Sequence, residues 1–150
     1  MKDAHALRRR ELDELVRRFT EAFNREDLDE VMGFFAPDAV YEQFDGSESC
    51  GAAAIRAAFE PQFRGDFGRI RFAVEDVFVE ADDARAGTGK GLVRWLCTLE
   101  RPDRSGGWRG LDVLHFVDGR VTRKLTYART AKPLIDPLPS GAPDRPPGSA

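Results

Sequence analysis

The apolar residues of this chain change period once, near Gly65, and that change restricts what the chain can fold into. Before it, Leu12, Leu15, Val16, Phe19, Ala22 and Phe23 recur at a spacing that gathers them into one stripe, predicting an amphipathic helix over about 4–25. After it, Ile70, Phe72 and Val74 alternate with polar residues and Val77 and Val79 extend the pattern, predicting a long strand with a bulge near Asp76. Segments 92–99, 108–117 and 120–129 supply three more strands, the last two joined by Asp118-Gly119, a strong hairpin signal. Helices followed by antiparallel strands predict an α+β domain in which the helices cover one face of a curved sheet.

Between the two regimes, Asp27 is placed to cap a short second helix through Leu28, Val31, Met32, Phe34 and Phe35. Pro37 should close it, because the residue before a proline disfavours helical dihedrals. Residues 38–44 have the β-branched and aromatic content of a strand, ended by the turn residues Asp45-Gly46. A third helix carries Ala52, Ile55, Ala58, Phe59 and Phe63 on one stripe, and Pro61 should bend or end its last turn. At 150 residues and 41% hydrophobic content, the chain is large enough for one domain with a real core, expected over 1–131. From Lys132 onward the sequence holds six of the nine prolines and no periodicity, so 132–150 is expected to be a disordered or loosely docked tail.

Charge and motif content set several function classes aside. A net charge of -3 gives no strong attraction to nucleic acid or anionic membrane, and acidic residues just after Arg8, Arg9 and Arg10 dilute that basic run. The first residues are charged throughout, unlike a secretory signal, and no apolar run is long enough to span a bilayer; a cytoplasmic location is expected. Cys50 and Cys97 stand far apart without a CxxC pattern, and no histidine and carboxylate share metal-ligand spacing, so neither a metal nor another cofactor is expected. The stretch GTGKG, Gly87 to Gly91, lacks the spacing of a phosphate loop and reads as a flexible loop or bulge entering a strand.

The order of elements, with FNREDLDEVMGFFAPDAVYEQF near the start, GAAAIRAAF in the third helix and LDVLHFVDGRV near the end, resembles the nuclear transport factor 2-like superfamily. The chain looks closest to its SnoaL-like and ketosteroid-isomerase-like branch, over roughly 12–130. The resemblance implies a cone: a bent mixed sheet wrapped by three helices around an apolar pocket, with dimerisation through the outer sheet face. It also implies site residues. In ketosteroid isomerase a tyrosine and a protonated aspartate hold the developing oxyanion while a second aspartate moves the proton. Asp112, with Phe116 and Gly119 after it, matches the oxyanion aspartate; Phe19 falls at the tyrosine and Gln43 at the proton-shuttling aspartate, and neither can perform that role. Limonene epoxide hydrolase relatives place an arginine and an aspartate two apart on one strand and another aspartate on the last. Here Arg94 is followed by Trp95 and Leu96, and Thr126 stands on the last strand.

Asp112 shares a strand face with Gly110, Leu114 and Phe116, and the resemblance makes that face the inner one. Buried there, its carboxyl would act as an acid/base group or hydrogen-bond donor; the competing reading is a structural aspartate paired with a lysine, an arginine or a backbone amide. Lys124 is a candidate partner whose side depends on the hairpin. A two-residue Asp118-Gly119 loop sets Asp112 opposite Leu125, and a three-residue loop with a bulge sets it opposite Lys124. An inward Lys124 favours an ionised Asp112 and weakens the proton-donor role. Phe19, Tyr41, Gln43, Trp95 and Trp108 are the expected pocket walls, with the two tryptophans suited to a flat ligand or, equally, to a plain core. His115 falls on the opposite face, toward the outer surface or a dimer interface. The expectation is a homodimer that binds a small hydrophobic, carbonyl-bearing metabolite, with isomerase- or cyclase-type chemistry on Asp112. The alternative is a non-catalytic binding or dimerisation module.

Overall fold

The stripe from Leu12 to Phe23 winds α1 (Lys2–Ala22), which tightens into a 3-10 turn over Phe23–Arg25 and stops at Glu26, a non-glycine residue in the left-handed region at φ 57°. The structure is a computed structural model that describes residues 2–103 and 105–129. The expected tail, 132–150, lies outside the described residues. None of the described helices is long and apolar enough to cross a membrane.

The second helix, α2 (Leu28–Met32), is capped as its sequence implies: the Asp27 side chain accepts from the Glu30 N–H at 3.1 Å. It is shorter than expected. Phe35 opens β1 (Phe35–Glu42), and Pro37, expected to end the helix, sits inside that strand. Burial decides this, because an extended backbone sends Phe35 and Ala39 into the core. The pairing of β1 with its neighbour shifts register between Phe35 and Val40, so the missing proline N–H costs no ladder bond there. Ser47, held to Asp45 through its N–H at 3.0 Å and its hydroxyl at 2.7 Å, turns the chain into a short strand, β2 (Glu48–Cys50), that the sequence pattern did not reveal. The third helix, α3 (Ala52–Phe63), keeps Pro61 in its last turn and buries Ile55 and Phe59.

Four long strands follow: β3 (Arg69–Ala81), β4 (Gly89–Glu100), β5 (Ser105–Val117) and β6 (Arg120–Ala128). They complete one six-stranded sheet in the order β2-β1-β6-β5-β4-β3, antiparallel except for the β1–β6 pair. The bulge expected near Asp76 is present, between Val74 and Asp76, and a second interrupts β6 at Thr122. Bulges of this kind bend strands and sharpen the twist, which suits a sheet that curves around its helices.

Register arranges the inner face into cross-strand rows. Val77, Val93, Asp112 and Thr126 stand side by side; Val79, Gly91, Leu114 and Lys124 form the next row, and Val74, Trp95, Gly110 and Ala128 the row on the other side. Helix α1 crosses this face over β3 and β4. Gly91 makes the approach possible, since a Cβ there would lie 2.6 Å from Val16 Cγ2. The GTGKG stretch is thus a β3–β4 connection running into a strand that a helix crosses closely. At the centre of the core Phe19, fully buried, meets the rings of Phe23, Phe34 and Phe35 edge-on at centroid distances of 5.3, 5.6 and 5.5 Å.

The exposed side of β3 is a sheet edge, and Asn24, in the 3-10 turn after α1, covers part of it. Its amide donates to the Phe72 carbonyl at 2.8 Å and accepts from the Phe72 N–H at 2.7 Å, as a neighbouring strand would. Replacing Asn24 by Ala leaves both backbone groups unpaired in a part-buried setting. The expected loss is about 1–3 kcal/mol, read from urea unfolding, with faster amide exchange at Phe72; unchanged exchange there would show that the side chain does not hold the edge.

Candidate functional site

Two residues on β6, one on β5 and one on β4 meet at the base of the helix-covered face. The hairpin after Val117 is a tight two-residue turn, with Asp118 at φ 51° and Gly119 at φ 81°, and Val117 pairs with Arg120. The bulge at Thr122 then advances β6 by one residue, so Asp112 stands opposite Thr126 and Leu114 opposite Lys124. Neither register considered from sequence is the observed one, because the extra residue sits inside the strand and not in the loop. The result for Lys124 is unambiguous: it points inward, on the face of Asp112.

Lys124 Nζ donates to Asp112 Oδ1 at 3.0 Å and to Thr126 Oγ1 at 2.7 Å, and the threonine hydroxyl donates in turn to Asp112 Oδ1 at 2.6 Å. The other carboxylate oxygen, Oδ2, accepts from Trp95 Nε1 at 3.1 Å. Three donors from two strands, β6 and β4, therefore converge on one carboxylate, a set that suits its ionised, acceptor-only form. Of the two readings of Asp112, the contact seen is the pairing with a lysine: Asp112 is the partner of a buried ammonium, which weakens the proton-donor reading. Gly110 is part of the same construction. A Cβ there would collide with Trp95 Cη2 and with the Tyr127 carbonyl oxygen, so only glycine lets the indole lie across β5 and reach Asp112.

The ammonium is fixed from its remaining side by aromatic rings. Tyr41 is the register partner of Lys124 in the parallel β1–β6 pair, and Nζ lies 4.5 Å from its ring centroid, with the Phe23 and Phe59 centroids at 5.8 and 5.9 Å. Burial works most strongly against the charge, yet Asp112 and then Tyr41 outweigh it, so the Lys124 pKa is raised above its ordinary 10.5. No buried side-chain nitrogen or oxygen among the described residues lacks a partner. Nor do the described residues gather three or more metal-ligating side chains.

Above this polar floor lies a cavity of about 570 Å³. Its walls are Phe23, Phe59, Ile70, Phe72, Leu99, Trp108 and Ala128, and the exposed rings of Phe44 and Phe67 mark its rim. Tyr41, Gln43, Trp95, Trp108 and Asp112, all expected at the site, line it together. Phe19 does not: its ring is spent on the Phe23, Phe34 and Phe35 contacts one layer below. Cys97 is part of the wall, and burial pushes its thiol up to about 11, which keeps it protonated and unreactive near neutrality. Arg94 is half-exposed on the outer face beside Glu75, away from the cavity, and His115 is also outside, its pKa lowered by burial and then by Lys90 and Arg123.

Phe23, Phe59 and Phe72 were legible only as core positions in the helical and strand patterns. No pattern separates an aromatic ring that faces a void from one that faces another ring.

The Lys124–Asp112 pair is buried on both sides, with side-chain exposures of 7% and 7%. Removing one partner of such a pair costs about 3–5 kcal/mol because the other charge is left without compensation. Lys124→Met should therefore destabilise more than Lys124→Met/Asp112→Asn. With its pKa raised in the fold, Lys124 contributes stability that is fully present below the ordinary lysine value of 10.5 and is lost as pH climbs through the raised value. Urea unfolding of the native chain should weaken above pH 10.5 more steeply than that of the double variant; parallel curves would remove the pair as a source of stability.

No curated protein matches the chain. Among solved structures, a nuclear transport factor 2-like protein of unknown function from Mesorhizobium loti is 24% identical, with TM-score 0.63 over 82% of this chain and 94% of that one. A candidate polyketide cyclase from Xanthomonas campestris pv. campestris is 23% identical, with TM-score 0.59 over 80% and 91%. SalBIII, an epoxide hydrolase/cyclase-like enzyme with a role in pyran ring formation in the polyether salinomycin, is 17% identical, with TM-score 0.68 over 80% and 92%. At these identities the likeness is one of fold. The sequence family reaches further, since the SnoaL-like domain matches residues 16–124, from the first turns of the core stripe in α1 to the buried lysine of the floor. The chain belongs to the SnoaL-like family.

Proposed function

We propose that this chain binds a small hydrophobic molecule bearing a carbonyl or related oxygen, apolar body against the aromatic walls and oxygen toward Lys124 and Asp112. The observation that carries this is the cavity itself: about 570 Å³ of space bounded by apolar side chains, with one compact polar cluster at its base. Ligand sites are built this way, with apolar area for affinity and a few fixed polar groups for orientation. The cyclase designations of the Xanthomonas protein and SalBIII support a cyclic or cyclisable carbonyl compound as the ligand class. No cofactor enters the reading.

Where binding leads to turnover, Asp112 is the group in reach to exchange a proton, as a base, with Lys124 holding the ligand oxygen. A non-catalytic binding module is the competing reading, favoured by the same salt bridge. Asp112→Asn separates them: unchanged turnover of a ligand that binds would take Asp112 out of the mechanism.

Both tryptophans of the chain line the cavity, so occupancy should be visible directly as quenching of intrinsic fluorescence. Acetonaphthone, a flat aromatic ketone, is expected to quench it saturably. Ala128→Phe should fill the space and weaken that binding by roughly tenfold or more, while far-ultraviolet circular dichroism stays unchanged. Quenching that survives in Ala128→Phe would place the ligand elsewhere.

We also propose that a second copy of the chain covers the outer sheet face. Phe78, Leu92, Val113 and Leu125 form a continuous apolar row across β3, β4, β5 and β6, and Phe78 is 63% exposed. An apolar row of this extent favours burial against a like surface. Sedimentation equilibrium should give a dimer for the native chain and a folded monomer for Phe78→Glu/Leu125→Glu; a native monomer at tens of micromolar would end this proposal.

A further inference from the structure

Lys124 has three N–H groups, and among the described residues only two of them meet oxygen: Asp112 Oδ1 at 3.0 Å and Thr126 Oγ1 at 2.7 Å. The third side faces the Tyr41 ring at 4.5 Å, and Lys124, Tyr41, Phe23 and Phe59 all line the cavity. A ring face attracts a cation, but an oxygen that carries charge attracts it far more strongly where water is excluded. The carboxylate is differently placed. Both of its oxygens are already engaged by the protein, Oδ1 by Lys124 and Thr126 and Oδ2 by Trp95. The floor therefore offers an incoming molecule a charged donor more readily than a free acceptor.

Charge balance narrows the ligand further. The floor holds one cation and one anion, so a ligand that arrives as an anion would leave an uncompensated negative charge among apolar walls. A neutral acid avoids that. Its O–H proton passes to Asp112, the bond to the ligand oxygen breaks, and the oxyanion left behind takes the place of the carboxylate as the counter-ion of Lys124. The count of charges is unchanged, no proton leaves the protein, and neither oxidant nor reductant is involved. The protonated Asp112 keeps an acceptor oxygen for Trp95.

From this geometry we infer that the cavity selects acidic enols or phenols and binds them as their oxyanions, Lys124 exchanging Asp112 for the ligand oxygen. This rests on the ligand-binding reading of the same cavity and adds to it the charge state of the ligand and the residue that selects it. Lys124 is thereby a specificity-determining residue, a role that neither position in the chain nor strand pattern indicates.

The experiment uses 4-nitrophenol, whose ionised form absorbs in the visible, and nitrobenzene, its close analogue without the hydroxyl, at a pH where free nitrophenol is mostly protonated. Tryptophan quenching measures binding of each, and the visible band reports the bound ionisation state. The native chain should bind nitrophenol at least roughly tenfold more tightly than nitrobenzene and display the phenolate band, with no net proton release in buffers of different ionisation enthalpy. Asp112→Asn, which leaves the ammonium without its internal counter-ion, should bind nitrophenol still more tightly and release a proton to the buffer. Lys124→Met/Asp112→Asn, neutral and without a stranded charge, should lose the preference and the band while still binding nitrobenzene.

If the native chain binds both probes equally, or binds nitrophenol without the phenolate band, the inference is overturned and the cavity remains a ligand site. If neither probe, nor acetonaphthone, quenches the tryptophans, the ligand-binding reading falls and this inference with it.

Discussion

An ammonium and a carboxylate withdrawn from water each lose several kcal/mol of hydration, and only close pairing with satisfied hydrogen bonds recovers it. Lys124 and Asp112 meet that condition through residues that four different strands supply. Thr126 on β6 bridges the two groups, Trp95 on β4 binds the second carboxylate oxygen, and the ring of Tyr41 on β1 lies 4.5 Å from the ammonium. Each of these depends on a backbone feature in turn. The indole needs the missing Cβ of Gly110, the inward lysine needs the bulge at Thr122, and the tyrosine needs the one parallel pairing in the sheet. The charged pair thereby constrains how β1, β4, β5 and β6 are aligned.

The same arrangement separates two simpler outcomes. A filled interior with a salt-bridged aspartate would have described a structural core, and an open cavity with an unpaired acid would have described a proton donor of the isomerase kind. Here the cavity is open and the aspartate is paired. Phe19, where the isomerase pattern has its hydroxyl donor, lies one layer below and supports Phe23 and Phe35. The charged donor in this cavity is Lys124 on β6, so the oxygen chemistry proposed for it would work with an ammonium where the isomerase uses neutral acids.

Much of the fold was legible because burial imposes a period on the sequence. The stripe in α1, the cap at Asp27, the alternation of β3 with its bulge and the Asp118-Gly119 hairpin are local features, and each formed near its expected place. The departures arise where a distant contact outweighs a local signal. Pro37 argued for a helix end, yet the core contacts of Phe35 and Ala39 and a gap in the β1–β6 ladder put it inside a strand. β2 is three residues long and exists only because β1 offers it an edge. At the site, five of the six expected residues line one cavity; Phe19 does not, because helical phase alone does not tell which layer of aromatic rings encloses space.

The sequence by itself determined that helices would cover one face of an antiparallel sheet and that Asp112 would share a strand face with Gly110, Leu114 and Phe116, because side-chain period is a property of the chain alone; it was the family resemblance that marked this face as the covered one. Only the tertiary structure decided what Asp112 meets there. A bulge of one residue within β6 reverses the side on which every later side chain falls, and its position is set by pairing across the sheet. That one displaced residue makes Lys124 the partner of Asp112, and with it turns an expected acid into half of a buried ion pair.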